Sequence, residues 1–187
     1  PLLCAPPLFS RDVYSYYMQG RVLAEGGNPY LTGVSVVPGW FTSGVDPMWA
    51  DAKTPYGPAF LAIERAIAQL AGESAFTAAL LFRLVAIVGI ALIAASLPHL
   101  ARFHGIDAPS AVWLGATSPI VVMHLVAGAH NDALMIGLTC ASLWAAVCGK
   151  RWSSFVLVAL ALAVKPVAIV ALPFVAYQCA AGATVRN

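Results

Sequence analysis

Between residues 75 and 98 the chain carries no acidic residue and a single cation, Arg83. A bilayer core about 30 Å thick is crossed by roughly 20 helical residues at about 1.5 Å each, so such a run reads as a membrane-spanning helix. Residues 110–128, 132–149 and 153 to about 172, or as far as 180, have the same character, which makes four expected spans. The fold class expected is therefore all-α, a polytopic transmembrane helical bundle. Composition agrees: 10% of residues are charged, against about a quarter in soluble domains. A net charge of +2, with no Lys/Arg run longer than Lys150-Arg151, excludes a nucleic-acid-binding face. Cys4, Cys140, Cys148 and Cys179 form no CxxC pair and have no histidines at zinc-finger spacing, so they read as small apolar residues.

Residues 1–8 are expected to be the end of a preceding transmembrane helix, and the chain a piece of one longer membrane domain. Residues 9–74 form the first large polar segment. Within residues 9–57 lie Asp12, Glu25, Asp46 and Asp51, half of the eight acidic residues, along with dense Gly/Pro punctuation. Pro58 suits a first helical position. Residues 59–71 mix Glu64, Arg65 and Gln69 with Leu61, Ile63, Ile67 and Leu70, which predicts a short interfacial helix. Residues 75–187 hold the four spans. Arg102, His104 and Lys150-Arg151 then share one side, cytoplasmic by the positive-inside rule. The polar segment and the Gly128-Ala129-His130-Asn131-Asp132 turn share the extracytoplasmic side. Pro119, Pro166 and Pro173 each free a helical carbonyl, which lipid tolerates only against protein or a wet cavity.

Ionisable residues inside spans are rare and are usually paired or functional. Arg83 either snorkels to the headgroups or neutralises a lipid-linked phosphate. Lys165, beside a proline, either pairs with a carboxylate on a helix outside the chain or serves the same anion. Asp12 is the carboxylate best placed for chemistry, with Ser10 as a capping residue and Tyr16 one turn along; its alternative role is to complement the helix dipole. The turn at 128–132 offers backbone donors to an anion, or is ordinary capping. His130 and Asp132 could join Asp12 around a metal, but spacing brings no three ligands together, so neither metal nor other cofactor is assigned. Tyr16, Tyr30 and Tyr56 suit either the membrane interface or stacking against sugars.

The combination of Arg11-Asp12-Val13-Tyr14-Ser15-Tyr16, Gly20, Asn28-Pro29-Tyr30, Thr54-Pro55-Tyr56-Gly57-Pro58, Gly128-Ala129-His130-Asn131-Asp132-Ala133-Leu134 and Lys165-Pro166 resembles the polyprenol-phosphate-mannose-dependent α-(1→6)-mannosyltransferases of mycobacteria and their relatives. These belong to the C-type glycosyltransferase superfamily. The resemblance implies an integral plasma-membrane enzyme with its site on the extracytoplasmic face. It would move mannose, with inversion, from a decaprenyl or other polyprenyl phosphomannose donor to the mannan core of lipomannan and lipoarabinomannan. Asp12 matches the family's essential acidic residue and would act as general base. Arg83, Lys165 and His130 are then the candidates for the donor phosphate, and Tyr16, Tyr30, Tyr56, Asn131 and Asp132 those for sugar and acceptor. The chain is shorter than the family's members. Two other classes fit the composition: a transporter or flippase lined by Arg83, Lys165 and the proline-interrupted spans, and a non-enzymatic assembly subunit whose cations pair with a partner's acids. A transporter is expected to show internal repeats around a midplane site, and no repeat is detectable.

Overall fold

A computed structural model describes residues 5–8 and 10–184. The described residues are all-helical, without strands. The order is α1 (Asp12–Ala24), two short 3₁₀ turns (Val34–Val36 and Pro47–Trp49), α2 (Pro58–Ala71), α3 (Ala75–Phe103), α4 (Ala108–Ala127), α5 (Asp132–Val147), α6 (Arg151–Val164), a 3₁₀ segment (Pro166–Ala171) and α7 (Leu172–Thr184). Two of these, α3 and α4, are long and apolar enough to cross a membrane. At 16 and 14 residues, α5 and α6 extend about 24 and 21 Å, short of a full core. Of the four expected spans, the first two coincide with these candidate crossings, and the other two fall on three shorter apolar helices.

Prolines and glycines account for most of the boundaries. Pro58 opens α2 as expected, and Ser74 Oγ caps α3 by accepting from the Thr77 amide at 3.2 Å. Pro98, expected to close the first span, lies inside α3. The helix stops instead at Phe103, and Gly105, with a φ of +69°, permits the closing turn in which the Ile106 and Gly105 amides donate to the Ala101 and Arg102 carbonyls, respectively. Pro119 and Pro166 interrupt rather than bend, because a residue before proline is driven out of the α region. Ser118 (ψ 147°) breaks α4, and Lys165 (φ −147°, ψ 119°) ends α6. Pro173 falls in the first turn of α7, where its missing amide leaves no bond unmade.

α3 and α5 pack closely through small residues. A Cβ at Gly89 would strike the Ala133 backbone, and one at Gly137 would strike the Gly89 carbonyl, so the helices meet backbone to backbone. α5 and α6 are joined by reciprocal bonds: each of the Ser142 and Ser154 hydroxyls donates to the other's carbonyl at 2.8 Å. The main core lies at the other end of this assembly, where α1 and α2 sit against the start of α3. Tyr16, Tyr17, Phe60 and Phe82 are all within 2% of full burial there, and Tyr16 meets Phe60 and Phe82 edge-on. Tyr17 Oη donates to the Gly72 carbonyl at 2.6 Å, tying α1 to the end of α2.

One residue of α2 departs from the interfacial reading. Arg65 and Gln69 are exposed, but Glu64 is fully buried on the face shared with Phe60, Ile67 and Ala71. Neither of its carboxyl oxygens has a hydrogen-bond partner, and burial pushes its pKa well above the ordinary 4.5. Over the interval between 4.5 and the raised value the unfolded chain is deprotonated while the folded one keeps its proton, so stability falls as pH rises. Glu64→Gln is expected to flatten that slope in thermal unfolding of the detergent-solubilised protein. An unchanged slope would show that Glu64 is solvated.

Candidate functional site

The site is assembled where α1 begins, α4 ends, α5 begins and α6 breaks. Ser10 Oγ accepts from the Asp12 amide at 3.1 Å, and this fixes the entry to α1 although Arg11 holds the capping position. Asp12 remains 28% exposed at the helix start. Across from it, the end of α4 is widened into π-helical turns: the Gly128 amide donates to Met123 and the His130 amide to Leu125. Ala129 follows in the left-handed region (φ +54°), an uncommon conformation for a residue with a Cβ. The result brings His130 Nδ1 to 3.8 Å from Asp12 Oδ2.

Lys165 reaches the same place from the end of α6. Its Nζ donates to both Asp132 oxygens, at 2.8 and 2.9 Å, and lies 5.9 Å from the centre of the Tyr56 ring. The carboxylate partner expected outside the chain is therefore within it, in the first turn of α5. Tyr56 is held from three sides. Tyr30 Oη donates to its carbonyl at 2.8 Å, Tyr16 meets it edge-on at 5.2 Å, and the adjacent Gly57 amide donates to the Val164 carbonyl. Burial raises the Tyr56 phenol to about 12, hydrogen bonding from Tyr16 opposes the shift, and the Asp12, Glu64 and Asp132 charges add to it. Tyr16 rises well above 10, chiefly by burial.

Asp12, Tyr16, Tyr56, His130, Asp132 and Lys165 thus converge. Within this group Tyr16 is 1% exposed, an inner support rather than a surface for a sugar. Asn131 is 2% exposed and its amide atoms lack partners. Arg83 stands apart: it is 1% exposed and donates to the Ala5 and Ala127 carbonyls at 2.6 and 3.2 Å, steadying the chain just before the His130 turn. It also lines a cleft of about 610 Å³ with Arg11 and Tyr14.

His124 was not foreseen. Its ring stacks on His130 at 4.6 Å and 22°. Six residues of α-helix would turn these side chains to different faces, and only the widened turns and the bend at Gly128 superpose them. Burial first, and His124 second, push the His130 imidazole below 6.5, against the opposing pull of Asp12 and Asp132. Near neutral pH His130 is therefore an uncharged neighbour of the Asp12 carboxylate. Among the described residues no group of three or more His, Cys, Asp or Glu side chains is arranged around a metal.

Fold and site together define an all-helical, membrane-associated protein with an acid–base and ion-pair cluster at the mouth of its apolar helices. The chain belongs to the α-(1→6)-mannopyranosyltransferase family, whose N-terminal-domain model matches residues 1–181. It is 37% identical over 95% of its length to α-(1→6)-mannopyranosyltransferase A of Mycobacterium tuberculosis and 36% identical over 95% to that of Corynebacterium glutamicum. It is 46% identical over 74% to a probable α-(1→6)-mannopyranosyltransferase of Mycolicibacterium smegmatis. The matched regions are 34%, 36% and 25% of those relatives' lengths. No solved structure matches significantly.

Proposed function

We propose that this chain carries the catalytic portion of an inverting mannosyltransferase of the C-type glycosyltransferase superfamily. It would transfer mannose from a polyprenyl phosphomannose donor to a mannan acceptor of the lipomannan kind in α-(1→6) linkage. The observation that carries the reading is the partly exposed Asp12 carboxylate facing a neutral His130, beside the Lys165–Asp132 pair. An acceptor 6-hydroxyl oxygen attacks the anomeric carbon from the face opposite the phosphate, and its proton passes to Asp12. The anomeric C–O bond to phosphate breaks as the new bond forms, and the phosphate leaves on its lipid. Its charge is met by Lys165, whose position at the end of an apolar helix suits an anion anchored in a membrane, with Arg83 and His130 supporting that side. Tyr30, Tyr56, Asn131 and Asp132 flank the sugars, with Tyr16 behind Tyr56.

In this reading the site lies on the extracytoplasmic face of the plasma membrane, and α3, α4 and the shorter helices belong to a multispan bundle. The test is transfer of labelled mannose from polyprenyl phosphomannose by membranes carrying the protein. Incorporation into a product cleaved by an α-(1→6)-specific mannanase is expected. Movement of the lipid donor across the bilayer without incorporation would favour a flippase instead.

A further inference from the structure

Asp12 also lines a recess to which Arg11 does not contribute. This cleft of about 330 Å³ is lined from α1 by Asp12, Ser15 and Gln19 and from the loop by Trp49, Lys53 and Tyr56. Positions 12, 15 and 19 follow one another along a single helix face. The volume lies at the low end of the range for small-ligand sites, about 300–1,000 Å³, and suits a sugar residue rather than a long lipid.

Its helix wall is unusual. Ser15 and Gln19 are each 6% exposed, and neither Ser15 Oγ nor Gln19 Oε1 has a hydrogen-bond partner. Unpaired buried polar atoms oppose folding, and apolar side chains at both positions would remove that cost. Two such oxygens on the helix wall of one recess call for a ligand that brings its own donors. Sugar hydroxyls are such donors. Trp49, 41% exposed, and Tyr56 supply ring faces for the apolar side of a pyranose.

We propose that this cleft is a hexose subsite, in which Ser15 and Gln19 accept hydrogen bonds from ring hydroxyls and orient one further hydroxyl toward Asp12. Assigning that hexose to the acceptor rests on the mannosyl-transfer reading, because the attacking hydroxyl is the one that must meet the base.

The experiment pairs a binding arm with a kinetic arm. Detergent-solubilised protein is titrated with methyl α-D-mannopyranoside and α-(1→6)-mannobiose by ligand-observed NMR, as the parent and as Ser15→Ala, Gln19→Ala and Asp12→Asn. Ser15→Ala deletes one unpaired atom, so its Tm is expected to hold or rise, whereas Gln19→Ala also leaves a small cavity; sugar binding should weaken about three- to tenfold in each. The acceptor KM should rise by a similar factor with the donor KM unchanged. Saturable sugar binding should survive in Asp12→Asn. Sugar binding lost in Gln19→Ala, in a protein that transfers no mannose, would uphold the subsite and remove the transfer reading. Unchanged binding in both alanine variants, or weaker binding in Ser15→Ala accompanied by a fall in its Tm, would overturn the subsite. A rise in donor KM instead of acceptor KM would overturn its assignment to the acceptor.

Discussion

Asp12→Asn is expected to lower mannosyl transfer by about 10²–10⁴-fold, the range for loss of a positioned general base, with Tm close to that of the parent. The substitution keeps shape and removes only the charge. Asp12 lies at the start of α1, where a negative charge contributes about 0.3–1 kcal/mol through the helix dipole, and its nearest basic neighbour, His130, is 3.8 Å away. The effect should fall on kcat, because the proton moves only in the transition state. Rates in the parent should also decline on the acid side below pH 6.5. There His130, held low by burial and by His124, becomes an imidazolium that competes with the incoming hydroxyl for the carboxylate. Asp12→Asn should lose that limb. Full transfer with the amide in place would remove Asp12 from the mechanism.

Helix starts were legible in the sequence, since Pro58 and Asp132 mark real ends by chemistry that needs no tertiary context. Span length was less legible. A hydropathy run does not reveal that Lys165 turns extended, so residues 153–172 read as one crossing when the helix stops at Val164. Side-chain direction was the hardest to read. Glu64 counted as a polar surface residue because pattern arguments assume that carboxylates face water, yet α2 turns it inward beside Phe60. Tyr16 looked like an interfacial ring and is instead the centre of the aromatic core. Within the site, the turn at 128–132 and Asp12 could each be singled out by residue type. Their meeting depends on π-helical turns and a left-handed Ala129 that no local signal marks. The Lys165–Asp132 pair joins residues 33 positions apart and required the α5–α6 packing fixed by Ser142 and Ser154.

Lys165→Met is expected to cut transfer by about 10²–10³-fold, the magnitude for losing one group that stabilises transition-state charge. It should also reduce stability by about 1–3 kcal/mol, less than the loss for a fully buried pair because Lys165 and Asp132 side chains are 28% and 32% exposed. Two explanations give the same single-variant result. In one, Lys165 meets the leaving phosphate; in the other, it merely compensates Asp132 and thereby holds the start of α5 and the His130 turn. The double variant Lys165→Met/Asp132→Asn separates them, since it removes both charges and leaves no uncompensated carboxylate. Stability should return in either case. Transfer should stay low if the ammonium is needed for phosphate, and should recover if its task is to neutralise Asp132. Lys165→Arg sharpens the comparison, because a guanidinium keeps the charge but cannot place one compact donor between both Asp132 oxygens beside the Tyr56 ring. Partial transfer by the arginine variant together with an inactive double variant is the outcome expected of a phosphate-facing cation.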